Sequence, residues 1–230
     1  MRSAPTLRLA VARSASMRAA VLLLALLGAC SLPRAWDSDR AQQAAHRLGP
    51  RAVQSLQSLQ AVMASAVEAD EAAKLDAINQ FFNRHVAFRD DEVVWGTADH
   101  WASPLETLSK GVGDCEDFAI AKYFALLAGG TPASRLRLVY VRLQMGGPGG
   151  PSRAHMVLAH YASPQAEPLI LDNLVSEIRP ASRRPDLTPV FSFNSEGLWQ
   201  GAGAQSMGDP AIRLSRWRDV LTRARAEGFL

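Results

Sequence analysis

Ten residues, Gly111-Val-Gly-Asp-Cys115-Glu-Asp-Phe-Ala-Ile120, constrain this chain more than any other stretch. Gly111 and Gly113 admit backbone conformations closed to other residues, and the apolar run from Phe118 to Leu127 recurs at helical spacing until Gly129-Gly130 stops it. The pattern predicts a loop-to-helix junction with Cys115 in the first turn of the helix. There the unpaired N–H groups and the positive end of the helix dipole favour thiolate over thiol, the state a nucleophilic cysteine needs. Taken alone, a cysteine more often serves as a small apolar filler. Its neighbours Asp114, Glu116 and Asp117 argue for chemistry instead, because a core filler needs no carboxylates around it.

At 230 residues the chain can bury one sizeable core. Its formal charge of +3 comes from the leader: residues 1–29 hold Arg2, Arg8, Arg13 and Arg18 and no acid, and without them 21 of the 25 basic residues face 22 acidic ones. No interleaved basic and aromatic stripe is present either, so the sequence gives no case for nucleic-acid binding. The leader itself has an arginine-bearing start, an apolar run from Ala19 to Leu27 and small residues before Cys30, which reads as a secretory signal peptide over residues 1–29. Leu27-Gly28-Ala29-Cys30 also resembles a bacterial lipobox, which would make Cys30 a lipid anchor; cleavage near Ala29 without lipidation is the alternative. Ser31 after the cysteine would favour the outer membrane. Either route takes the protein to the periplasm, where Cys115, left without a partner in the chain, is an unpaired thiol in an oxidising compartment.

Residues 30–69 read as an N-terminal tether and helix, with Pro50 suited to a helix start. Asp70 should cap the next helix, whose Leu75, Ile78, Phe82 and Val86 share one face. Ser103-Pro104-Leu105-Glu106 is a capping box that announces a short helix just before the glycine loop. Trp101 is expected to wall the cleft over Cys115. Three strands follow, Leu136 to Leu143, Ala154 to Tyr161 and Pro168 to Leu171, spaced for an antiparallel meander. Residues 180–200 show no clear period and are expected to wrap the sheet. Residues 201–230 read as a linker followed by a C-terminal helix, with Leu214, Trp217, Leu221 and Ala224 on one side and a solvated arginine face on the other.

The fold class these signals support is α+β, with N-terminal helices packed on an antiparallel β-sheet. A cysteine on a helix N-terminus, then a histidine on a strand, then an aspartate on the next strand is the order of a papain-like or transglutaminase-like core. His155 opens the second strand and Asp172 closes the third, so the meander brings them together. His155 would take the thiol proton and return it to the leaving group, while Asp172 holds the ring. The other histidines fit worse: His46 and His85 fall in helices, His100 in the tryptophan loop, and His160 on the opposite sheet face by strand parity.

These residues resemble those of the bacterial transglutaminase-like cysteine proteinases. The resemblance spans about residues 70–200 and rests on five motifs: Trp101-Ala-Ser-Pro-Leu-Glu106, Gly113-Asp-Cys-Glu-Asp-Phe-Ala-Ile-Ala-Lys-Tyr123, His155-Met-Val-Leu, Leu171-Asp-Asn-Leu174 and Arg183-Arg-Pro-Asp-Leu-Thr-Pro-Val-Phe-Ser-Phe193. It implies a triad of Cys115, His155 and Asp172 and a calcium ion held by Asp114 and Glu116, with Asp117 a third ligand. It further implies a periplasmic endopeptidase that cuts a large surface adhesin near its N-terminus, releasing biofilm cells, and an inner-membrane cyclic di-GMP receptor that sequesters it. The alternatives are a transglutaminase-type acyl transferase and a non-catalytic calcium-binding module. From residue types alone, the acids serve equally well as helix caps that favour the dipole.

Overall fold

The computed structural model describes Met1 and residues 36–230 apart from 68 and 148; the signal-peptide reading and Cys30 lie outside the described residues. The order is α1 (Ser38–Leu48), α2 (Pro50–Ser65), α3 (Glu71–His85), β1 (Ala87–Phe88), α4 (Asp91–Val94), α5 (Pro104–Lys110), β2 (Val112–Gly113), α6 (Cys115–Ala128), β3 (Leu136–Gln144), β4 (Ser152–His160), β5 (Leu169–Leu171), β6 (Arg179–Pro180), β7 (Leu187–Phe193), β8 (Leu198–Gln200), α7 (Pro210–Arg213) and α8 (Ser215–Ala226). The α+β class expected from the sequence is what the chain adopts.

Local chemistry sets the helix ends where the sequence places them. Asp70 accepts from the Ala73 N–H at 2.8 Å and starts α3. Ser103 and Glu106 form the reciprocal capping box of α5, with Pro104 at its first position. Gly111 then ends α5 at φ 63°, in the left-handed region, with the Arg51 guanidinium where a Cβ would stand.

Helix α6 is apolar nearly all round, and its residues from Asp117 to Leu127 are all buried. It contacts α3 and α5 and also strands β3 and β4, so it lies at the centre of the core. α1, α2 and α8 bury residues in the same cluster. Phe124, fully buried, meets Tyr123, Trp217 and Phe229 ring to ring. Truncating such a residue to alanine costs about 3–5 kcal/mol, a large share of the about 5–15 kcal/mol typical of a domain.

The main sheet is antiparallel throughout, in the order β6-β5-β4-β3-β7-β8. The meander β3-β4-β5 forms as expected, with Val141 opposite His155 and Leu158 opposite Leu171. Residues 180–200 depart from expectation. They do not simply wrap the sheet: β7 and β8 extend it beyond β3. The sequence hid this because Pro189 pairs with Val141 at a register shift, and a bulge that carries a proline breaks the alternation that marks a strand. The chain between β6 and β7 thus passes from one side of the meander to the other. Ala181 and Leu187, at its ends, pack on a second apolar cluster of Val139, Val141, Val157, Ala159, Tyr161 and Ile170.

Candidate active site

A two-residue parallel ladder, β1 to β2, ties Ala87 and Phe88 to Val112 and Gly113 and fixes the loop that delivers the nucleophile. Gly113 must lack a side chain, since a Cβ there would lie 2.5 Å from Asp117 Oδ2. Cys115 is the first residue of α6, with Asp114 as N-cap, and it is half-buried. It opens on a cleft of about 540 Å³ whose walls include Trp101, Tyr140, Glu116 and His155. Trp101 meets the expectation for it, while also stacking on Phe193 in the core.

His155 and Asp172, both buried, are joined at 2.8 Å between Nε2 and Oδ1. Asp172 Oδ1 also accepts from the Leu174 N–H at 3.0 Å. Burial alone would raise the Asp172 carboxyl; the hydrogen bond and charge of His155, the Leu174 N–H and Arg184 outweigh it and hold the carboxyl at about 2. Strand parity sorts the remaining histidine on β4 as expected. His160 meets Glu71 of α3 at 3.2 Å, on the helix side with Met156 and Leu158.

The nucleophile end differs from the expectation for an isolated helix N-terminus. The Cys115 thiol donates to Glu116 Oε2 at 2.9 Å. Burial pushes the thiol well above its ordinary range, and the charge of Glu116, the hydrogen bond to it and the charge of Asp114 push it further; the nearby Met156 N–H opposes them. Here burial and the local carboxylates together favour the thiol over the thiolate.

Sequence reasoning missed two members of that cluster. Asp91 is buried at the start of α4 and accepts from the His100 N–H, and one of its oxygens lies within 4.8 Å of an oxygen of Asp114 and one of Asp117; Asp91, Asp99 and Glu116 make a second such group. The only sequence signal was the acidic run Asp90-Asp91-Glu92, which reads as a turn. Asp117 is engaged by backbone, accepting from Ala102 N–H at 2.8 Å and Asp114 N–H at 3.3 Å. Asp99 is paired with Arg216 at 3.0 Å. Among the described residues no lysine or arginine pairs with Asp91, Asp114, Glu116 or Asp117. Burial first, and then the charges of Glu116, Asp117 and Asp91, raise Asp114 to about 9. Burial, outweighing the N–H groups that oppose it, raises Asp117 to about 8.

Oδ1 of Asp91 and Oδ1 of Asp114 are buried without a hydrogen-bond partner. Hard oxygen donors, several of them anionic and two of them unpartnered, fit a calcium ion, which takes about six to eight oxygens in flexible geometry. Zinc fits less well, because it would draw on the thiolate and imidazole.

The arginines of α8 also differ from a plainly solvated face. Arg216 and Arg223 reach the loop before α5, Arg223 by an ion pair to Glu106 at 3.1 Å and a hydrogen bond to the Trp101 carbonyl. Buried Glu227 accepts from the Ser103 hydroxyl and from the Leu105 N–H at 3.1 Å, so it satisfies the N-terminus of α5.

Residues 51–186 match the family described as bacterial transglutaminase-like cysteine proteinase. The search of curated proteins finds no match. Among solved structures, Legionella pneumophila LapG in an EGTA-treated form is similar at 38% identity and a TM-score of 0.70, covering 80% of this chain and 96% of that one. A calcium-bound form of Legionella pneumophila LapG is similar at 37% identity and a TM-score of 0.67, covering 80% and 97%.

Proposed function

The chain belongs to the bacterial transglutaminase-like cysteine proteinase family and is a cysteine peptidase, and on that premise we propose that it is a calcium-dependent endopeptidase with a Cys115-His155-Asp172 triad. The observation that carries this reading is that Cys115, on the first turn of α6, and His155, hydrogen-bonded from behind to Asp172, open on one cleft.

With Nε2–H directed to Asp172, the His155 Nδ1 carries the lone pair and takes the Sγ proton. Asp172 stabilises the imidazolium that results. The thiolate adds to a peptide carbonyl, and the first-turn N–H groups of α6, which lack intrahelical partners, are suited to the developing oxyanion. Imidazolium then protonates the leaving amine, and water releases the acyl group. Asp91, Asp114, Glu116 and Asp117 are the residues we assign to calcium, Asp117 also fixing the loop through its backbone hydrogen bonds, with Asp99 at the rim. Bound there, calcium supplies positive charge against the carboxylates that hold the thiol protonated.

The family resemblance supports the rest of the reading. The substrate is a large surface adhesin cut near its N-terminus, so that cells leave the biofilm. An inner-membrane cyclic di-GMP receptor sequesters the enzyme in the periplasm, and Cys30, if lipidated, ties it to the outer membrane. Incubating the protein with an adhesin N-terminal fragment, with calcium and with or without an amine donor, tests this. Two fragments that form only with Cys115 intact support the endopeptidase. Crosslinked amine in place of cleavage would replace it with acyl transfer, and no covalent change at all would leave a binding module.

A further inference from the structure

The chain between β6 and β7 sends one side chain to the dyad. Arg184, 3% exposed, directs Nε and Nη2 to Asp186, at 3.0 and 2.8 Å. That leaves Nη1, which forms an ion pair with Asp172 Oδ2 at 2.9 Å, at an angle outside hydrogen-bond geometry. His155 holds the other oxygen, Oδ1. Asp186 is tied in turn to β3, its carbonyl accepting from the Gln144 N–H at 2.8 Å. A line of contacts therefore runs from the β3 backbone through Asp186, Arg184 and Asp172 to the imidazole. The Arg-Arg-Pro-Asp motif that contains both residues had no assigned role in the sequence.

A carboxylate as buried as Asp172 needs a charge partner, and the imidazole is cationic for only part of a catalytic cycle. A guanidinium stays charged throughout, and a fork fixed at one end by Asp186 restricts rotation of the carboxylate it meets at the other. From the helix side, Lys122 of α6 acts on Asp172 only through its charge; it is fully buried, its Nζ has no hydrogen-bond partner, and burial lowers it to about 7.

We propose that Arg184 is a positioning residue of the reaction: anchored by Asp186, it holds Asp172 Oδ2 so that Oδ1 meets His155 Nε2 and the imidazole keeps Nδ1 for Cys115. The proposal rests on the triad reading above. An ion pair that merely fastened the β6–β7 connection to the sheet would leave the imidazole unchanged.

The test is proton NMR of the full chain labelled with 15N-histidine, following the low-field Nε2–H resonance of His155, identified by its loss in His155→Gln. An opposite charge at this range lowers a carboxyl by about 1–3 units. In Arg184→Met the resonance should therefore move upfield, and its loss on acidification should come about one unit or more higher in pH than in the wild type. Asp186→Asn, which keeps the arginine but loosens its anchor, should shift the resonance in the same direction and provides the reading if Arg184→Met does not fold. Wild-type position and acid midpoint in both variants, with only a lower melting temperature, would overturn the proposal. A resonance that is absent from the wild type, or unmoved in Asp172→Asn, would instead sink the triad reading itself.

Discussion

The two walls of the cleft solve the problem of buried charge in opposite ways. On the His155 side every carboxylate has a partner: imidazole, Asp172, Arg184 and Asp186 follow one another, each within 3.0 Å of the next. On the Cys115 side Asp91, Asp114, Glu116 and Asp117 crowd together with no basic side chain paired to them among the described residues. The first wall is complete as folded. The second is held off its working state by its own carboxylates, and a cation from solution is what would complete it. The difference separates what sequence and folding supply from what the surroundings supply, so an enzyme of this design is assembled in one step and armed in another.

The largest effect should come from the atom both walls serve. Cys115→Ser should abolish turnover in the adhesin-fragment assay while leaving the melting temperature within a few degrees of wild type, because the exchange is nearly isosteric. Turnover at the wild-type rate would discard the nucleophile assignment.

Next comes the acidic wall. Chelation should lower activity and melting temperature together, with calcium restoring both better than magnesium, which demands stricter geometry. Metal-free, the folded cluster holds protons that the unfolded chain releases at ordinary carboxylate values. Its stability therefore falls as pH rises from about 4 through the raised values of about 9 for Asp114 and about 8 for Asp117. The gain in melting temperature on adding calcium should accordingly be greater at pH 8 than at pH 5. An equal gain at both, measured by scanning fluorimetry, would mean that calcium acts elsewhere.

The compensated wall predicts a smaller loss. Asp172→Asn should reduce turnover by up to about ten-thousand-fold, as neutralising the aspartate does in the related serine triad, with the fold retained. Asp172 sits at about 2, below its unfolded value, so its contribution to stability is full above about pH 4 and disappears only as pH falls through 2. Acid unfolding of the wild type between pH 4 and 2 should therefore be steeper than that of Asp172→Asn.

The smallest effect concerns Glu227. Burial, outweighing the donors Ser103 and Leu105, raises its carboxyl to about 7, so its stabilising contribution is full below about pH 4.5 and is lost as pH rises through 7. The stability difference between wild type and Glu227→Gln should shrink from pH 5 to pH 8. A difference that widens over that range would show that the carboxylate, and not the acid, is the stable partner of α5.

The contrast between the walls also explains what could be read in advance. The placement of Cys115, His155 and Asp172 in the fold was legible because each sits at an end of an element whose period or cap marks it, and chain order does the rest. Asp70 and Ser103 announced their helices for the same local reason. Asp91 was not legible, since its burial depends on a loop folding back so that His100 donates to it. Arg184 acts across the sheet, and nothing near it in sequence indicates Asp172. β7 was lost to a proline at a bulge, where local chemistry and tertiary pairing disagree.

The tie between Glu227 and α5 bears on the order in which the molecule comes into being. Trp36 meets Phe229 edge to face at 4.7 Å between centroids, the Asp37 N–H donates to the Gly228 carbonyl at 2.7 Å, and Glu227, capping α8, satisfies the helix that leads into the cysteine loop. Chain order places residues 214–229 after every element from α1 to α7. Until they arrive, the N-terminus of α5 lacks the Glu227 acceptor to which Ser103 and Leu105 donate, and Phe124 lacks two of its ring neighbours. The helix that carries Cys115 is therefore packed to completion only when its last neighbours in the chain have been made.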